Sequence, residues 1–158
     1  RILGAIRMFK REFDASLFHH EKARDLCPSD PYIRFKYATV LIYTGDSEKA
    51  LEEIKAGKRL DPFCPDYLLE DEGICYYWLN KFEESVESFG KLKVPSRNSL
   101  FYLAASYSKK GETKEAKASL AEAVSVSNLT ISDFINTQYY KSEDNISSLR
   151  MTLEGIAA

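Results

Sequence analysis

Histidine, glycine and proline are scarce in this chain of 158 residues, at 2, 7 and 5. The two histidines, His19 and His20, are neighbours. On a helix their side chains point about 100° apart, so they cannot serve one catalytic site together. The seven glycines are scattered, and none forms a loop able to cradle a phosphate. Cysteine is also sparse: Cys27, Cys64 and Cys75 are an odd number with no paired metal-ligand spacing. They read as reduced thiols packed as small hydrophobes in a cytoplasmic protein. No apolar run approaches the ~18–20 residues of a membrane span. A net charge of −2 leaves no electrostatic footprint for nucleic acid or an anionic membrane surface. The start at Arg1 shows no Met, basic region or apolar region of a signal peptide, and suggests a piece excised from a longer protein. Asn128-Leu129-Thr130 and Asn145-Ile146-Ser147 fit the glycosylation pattern, but in a cytoplasmic chain they read as chance. The acids Glu70, Asp71 and Glu72 are consecutive and fan around a helix axis, with no His or acid at i+4 to complete a metal or acid–base site. They read as a solvated face. Enzymatic activity, metal and cofactor are therefore not expected of this segment, although a larger parent protein could be an enzyme.

What the chain does hold is a period. Pairs of small residues twelve apart recur as Gly4/Ser16, Ala38/Ala50, Gly73/Ser85 and Ala104/Ala116, at start-to-start intervals of 34, 35 and 31 residues. Ala, Gly and Ser together make up 37 of 158 residues, so filling all eight slots is far from chance. A period in this range indicates stacked helix pairs rather than one closed core. Around each pair the pattern is helix, short turn, helix. Ile33, Tyr37, Val40 and Leu41 form a 3.6-residue stripe, Gly45 breaks it, and Asp46 or Ser47 begins the next helix with Ala50, Leu51 and Ile54 inside. Phe82, Ser85, Val86 and Phe89 repeat the plan after a turn at Asn80. Leu100, Leu103, Ala104 and Tyr107 precede Gly111, after which Thr113 is expected to cap a helix bearing Ala116, Leu120 and Ala123. Small side chains are needed where the two helices of a hairpin cross, since larger ones would force the axes apart.

These residues resemble the tetratricopeptide repeat. The family places small residues at repeat positions 8, 20 and 27, a turn Gly at 15, an aromatic at 17 and Pro at 32. Position 27 here holds Ala23, Gly57, Leu92 and Ala123; position 15 holds Gly45, Asn80 and Gly111, with Arg11 departing. Phe13 and Phe82 fill position 17, and Pro28 and Pro62 fill position 32. Arg34 and Glu72 stand where the family carries apolar residues, and His20 stands at an interior position, where it is expected to be structural. The resemblance covers residues 1–128, divided as 1–28, 31–62, 66–95 and 97–128. It implies an all-α, right-handed superhelix of antiparallel helix-turn-helix repeats.

Residues 129–158 depart from the repeat. Thr130 to Phe134 could begin a short helix, Ser142-Glu143-Asp144 suits a helix start, and Ile146, Leu149, Leu153 and Ile156 form one stripe. This segment is expected to cap the array. Its Leu153-Glu154-Gly155-Ile156-Ala157 ending is similar to tails that close such modules in bacterial class III nucleotide cyclases and winged-helix activators.

In the family, one face of each first helix lines a concave groove. Carried over, those slots hold Tyr32, Phe35, Thr39, Tyr43, Tyr67, Tyr77, Trp78, Phe101 and Tyr102, which become the expected partner-binding residues. Large exposed aromatics tend to mark binding surfaces. The alternative is that several pack into neighbouring repeats, or that a tightly wound superhelix or the C-terminal helix buries them. Lys36 and Asn98 are isolated and Glu70 and Asp71 would repel an anionic tail, so an apolar or mildly basic peptide suits the groove better. The expected role is a protein-interaction scaffold. A regulatory module docking on another domain of the same chain, and a homodimer formed through the first unit, remain the other readings.

Overall fold

The computed structural model describes residues 2–63 and 65–158, which form ten helices and no strand. Eight fall into consecutive pairs: α1 (Ile2–Phe9) with α2 (Phe13–Leu26), α3 (Pro31–Thr44) with α4 (Ser47–Leu60), α5 (Tyr67–Trp78) with α6 (Phe82–Gly90), and α7 (Arg97–Lys110) with α8 (Thr113–Ser127). A short α9 (Ile131–Asn136) and a longer α10 (Glu143–Ala157) follow. Each pair leans on the next, with α2 on α3, α4 on α5 and α6 on α7. The first helices also touch in series, α3 with α5 and α5 with α7, while the second helices of neighbouring pairs make at most marginal contact. Helices that converge on one side and splay on the other give a curved stack, so the first helices form its inner, concave layer. This is an all-α helical repeat solenoid.

The twelve-residue pairs sit at the crossings. All eight small residues are buried, and in two pairs the second member bonds the first. The Ser16 hydroxyl donates to the Gly4 carbonyl and the Ser85 hydroxyl to the Gly73 carbonyl, both at 2.8 Å. Gly73 admits no side chain, because a Cβ there would lie 2.6 Å from the Phe89 ring of the partner helix. Seven residues after each first member the chain turns with a left-handed backbone, at Arg11 (φ 59°), Gly45 (97°), Asn80 (59°) and Gly111 (83°).

Local departures from the repeat have local reasons. Thr113 is the first residue of α8 rather than its cap; Glu112 precedes the helix and no side chain bonds its free N–H groups. Leu92 fits a small-residue slot because α6 has already ended at Gly90. Arg34 replaces an apolar residue by reaching the buried Glu53 carboxylate at 2.6 Å, which Arg24 of α2 also meets at 2.9 Å. His20 is buried, and its Nδ1–H donates to the Ser16 carbonyl at 2.9 Å. Among the cysteines, Cys75 is buried, and the loss of solvent raises its thiol well above the usual range. Cys27 is exposed rather than packed, and Cys64 lies outside the described residues.

Candidate functional site

The acidic run on α5 is not a solvated face. Its three carboxylates diverge, as consecutive helical residues must, but each finds a different neighbour. Glu70 accepts from the Ser96 hydroxyl and, at 3.0 Å, from the Asn98 amide at the start of α7. Asp71 accepts from Thr39 of α3 at 3.0 Å, and Glu72 pairs with Lys58 of α4 at 2.6 Å. The run ties α5 to the helices on both sides. Burial pushes the Asp71 carboxyl up to about 7; the Glu70 charge adds to this, while the Thr39 bond and Lys36 oppose it.

The aromatic residues expected on the concave face are brought together, but much of that face is covered from within. Phe35 is buried, turned into its own hairpin against Gly57, where a Cβ would collide with its ring. Phe101 is buried under Phe134 of α9, the two rings stacked at 4.1 Å and 13°. Tyr77 is buried against Tyr102 and Phe82, with Thr152 of α10 beside its hydroxyl. Tyr32 is 44% exposed, and Thr39, Tyr43, Tyr67 and Trp78 are half-buried. The Lys36 ammonium lies over the rings of Tyr32 and Tyr67, at 5.3 and 4.7 Å.

The cover at the centre is the chain between α9 and α10, residues 137–142, which crosses the inner layer as a non-helical strap. Tyr140 is fully buried at its middle. Its ring meets Tyr43 and Trp78, each with centroids 5.1 Å away. Its hydroxyl accepts from the Trp78 Nε1–H at 3.0 Å and shares a 2.6 Å hydrogen bond with the Tyr102 hydroxyl. Desolvation holds the phenols of Tyr102 and Tyr140 well above their usual range, and pushes Tyr43 up to about 12 with help from Asp71 and Glu70. Next along, the Lys141 N–H donates to the Tyr43 carbonyl at 2.8 Å, satisfying one of the last carbonyls of α3. The Lys141 ammonium then reaches Asp14 of α2 at 2.7 Å, and Tyr139 meets Phe9 of α1 edge-on at 6.0 Å. The strap thus runs from the fourth pair to the first. Tyr139-Tyr140-Lys141 belongs to no repeat slot, so the repeat pattern does not mark the strap in the sequence. The available signal was two adjacent tyrosines in an otherwise polar connection.

Beyond the strap the inner face stays open. A cleft of about 300 Å³ is lined chiefly by Met8, Phe9, Thr39, Val40, Tyr43 and Tyr139. It adjoins a second, of about 390 Å³, that includes Ile2, Ile6 and Tyr32; Ala5, Phe9, His20 and Lys36 line both. The apolar face of α1 stands largely uncovered here, with Ile2 69% and Phe9 72% exposed.

Residues 98–126, nearly all of α7 and α8, match a family model described as tetratricopeptide repeat. No curated protein matches the chain. No helix among the described residues is long and apolar enough to cross a membrane.

Proposed function

Taking the chain as a tetratricopeptide-repeat protein, we propose that it is a non-catalytic interaction module that receives a peptide or partner protein on its concave face. The open N-terminal part of that face carries the reading. There, Ile2, Ile6, Phe9, Tyr32 and Tyr43 line adjoining clefts beside Lys36, and an exposed apolar surface of this kind tends to mark a binding site. Lys36 carries the charge among the lining side chains, and the Glu70 and Asp71 carboxylates on the next first helix, α5, make an apolar or mildly basic ligand a better fit than an acidic one.

Peptide arrays probed with the unmodified chain and with Phe9→Ser and Tyr32→Ala variants test this. Apolar and mildly basic sequences are expected to bind, and both variants to lose them. Because these side chains are exposed, their melting temperatures should move by no more than about 3 °C. A preference for acidic sequences, or binding indifferent to both substitutions, would contradict the proposal.

A second reading has its own support. The strap shows the groove accepting a segment of the same polypeptide, as a regulatory module contacting its own effector domain would require. Assaying an effector domain with and without this module, joined as in the intact reading frame, distinguishes that role from capture of a separate partner.

A further inference from the structure

We propose that the pocket formed by Tyr43, Trp78 and Tyr102 is a receptor for a tyrosine side chain on an extended segment of a partner protein, and that Tyr140 is its resident internal occupant. The inference deepens the groove reading above and rests on it.

The strap is held in the way a bound peptide is held. One aromatic anchor is buried, one backbone N–H pairs with a groove carbonyl, and one lysine reaches an acid at the far end. The pocket does not depend on the strap for its construction. Tyr43, Trp78 and Tyr102 come from α3, α5 and α7, three first helices of three successive pairs. The strap's neighbours are anchored elsewhere, α9 through Phe134 on Phe101 and α10 through its contacts with α7 and α8. Lifting residues 138–141 leaves Thr137 and Ser142 in place at the ends of α9 and α10, and gives up the hydrogen bonds of the buried Gln138 amide to Asn98 and the Phe134 carbonyl. The strap's outer attachment is weak, since the Lys141–Asp14 pair is largely solvent-exposed and such pairs contribute little.

The pocket reads the phenol. The Trp78 Nε1–H needs an acceptor there, and a phenylalanine would leave that donor buried and unpaired. A phosphotyrosine fares worse. The space around the Tyr140 hydroxyl is fully enclosed by Trp78 and Tyr102, and Glu70 and Asp71 lie close enough to raise Tyr43. The preferred ligand is thus an unmodified tyrosine followed by a basic residue, matching Tyr140-Lys141.

Trp78, the chain's one tryptophan, reports directly on the pocket. The probe is a synthetic hexapeptide with the sequence of residues 137–142, titrated into the full chain carrying Tyr140→Ala. The variant's emission should shift to the red relative to the unmodified protein, and the peptide should return it to the blue with saturation. The same peptide should bind the unmodified protein at least about tenfold more weakly, because its pocket is filled. Peptides carrying phenylalanine or phosphotyrosine at the second tyrosine should likewise lose about tenfold or more. A folded variant whose emission ignores the peptide, or one that binds all three peptides alike, overturns the proposal.

If Tyr140→Ala fails to fold, Lys141→Glu is titrated instead: Tyr140 still competes for the pocket, but with the pair to Asp14 lost the peptide should bind this variant more tightly than the unmodified protein. Hydrogen exchange of the unmodified protein provides an independent reading. The Lys141 amide should exchange through local opening, well before the buried amides of α3. Exchange only with global unfolding would mean that the strap is fixed core, and also overturns the proposal. Array ligands lost with Phe9→Ser, alongside a Trp78 pocket that ignores the hexapeptide, would remove the tyrosine receptor and leave the interaction module standing. Array binding indifferent to Phe9→Ser would remove the module reading itself.

Discussion

Arg11 turns the first hairpin with φ 59°, in the slot that Gly45 and Gly111 fill in the second and fourth. A Cβ in this left-handed conformation crowds the following carbonyl at a cost of about 1–2 kcal/mol, from which glycine is exempt. Glycine's greater freedom in the unfolded chain takes back about 0.5–1 kcal/mol. Arg11→Gly should therefore raise stability by up to about 1.5 kcal/mol, read as a higher urea midpoint with unchanged slope. Asn80→Gly should gain less, because asparagine tolerates this backbone better than arginine does. A loss of stability in Arg11→Gly would mean that the guanidinium, 5.8 Å from the Tyr139 ring centroid, contributes more than the strain costs. The Gly73/Ser85 pair shows the same economy of atoms. The missing Cβ leaves room for Phe89, and the Ser85 hydroxyl occupies a Gly73 carbonyl that would otherwise have an unused lone pair.

Helix α5 is where local pattern and tertiary structure part company. Glu70, Asp71 and Glu72 look solvated in sequence, yet they connect α5 to α7, α3 and α4. Asp71 gives this arrangement a pH signature. Its carboxyl is pushed up to about 7 by burial, against about 3.9 in an unfolded chain. Between roughly pH 4 and 7 the native protein keeps a proton that the unfolded chain has released. The stability linked to that proton is fully present below about pH 4 and is lost as pH rises through 7. Asp71→Asn keeps an acceptor for Thr39 and removes the charge, so its stability should be flatter across this window. Above pH 7 it should exceed the unmodified protein by on the order of 1–3 kcal/mol, each displaced pKa unit being worth about 1.4 kcal/mol. Urea unfolding of both proteins at pH 4.5, 6 and 8 measures the difference; parallel profiles would contradict the assignment.

A stack of hairpins is quasi-linear, since each contacts only its neighbours and an array of this kind can unravel from an end. The strap breaks that linearity. Lys141 meets Asp14 across 127 positions, and Tyr139 and Tyr140 reach the first, second and third pairs. Strap lifting is a minor opening of the native state; in the closed state, buried Tyr140 ties the second, third and fourth pairs together through Tyr43, Trp78 and Tyr102. Chemical unfolding followed by Trp78 fluorescence and by far-ultraviolet circular dichroism should accordingly give coincident transitions. A fluorescence change at clearly lower denaturant than the loss of helix would show the centre opening as a separate unit. Another inter-pair device is the Arg24–Glu53–Arg34 cluster, in which one buried carboxylate holds α2, α3 and α4 together.

The helices, their turns and their crossings were legible in the linear chain because they depend on local spacing. The small residues seven before each turn, the helix stripes and the left-handed turn slots are properties of segments under twenty residues long. The gathering of aromatics on the first helices was legible for the same reason, since a repeat places equivalent residues on equivalent faces. What covers those aromatics was not. Whether Tyr43, Trp78 and Tyr102 face solvent depends on Tyr140, up to 97 positions away, and no periodic pattern encodes that contact. The fates of Phe35 and Asp71 were equally hidden, because burial is set by how neighbouring helices approach and not by residue type. Local spacing determined the solenoid; long-range packing decided that its groove is already partly filled, and by what.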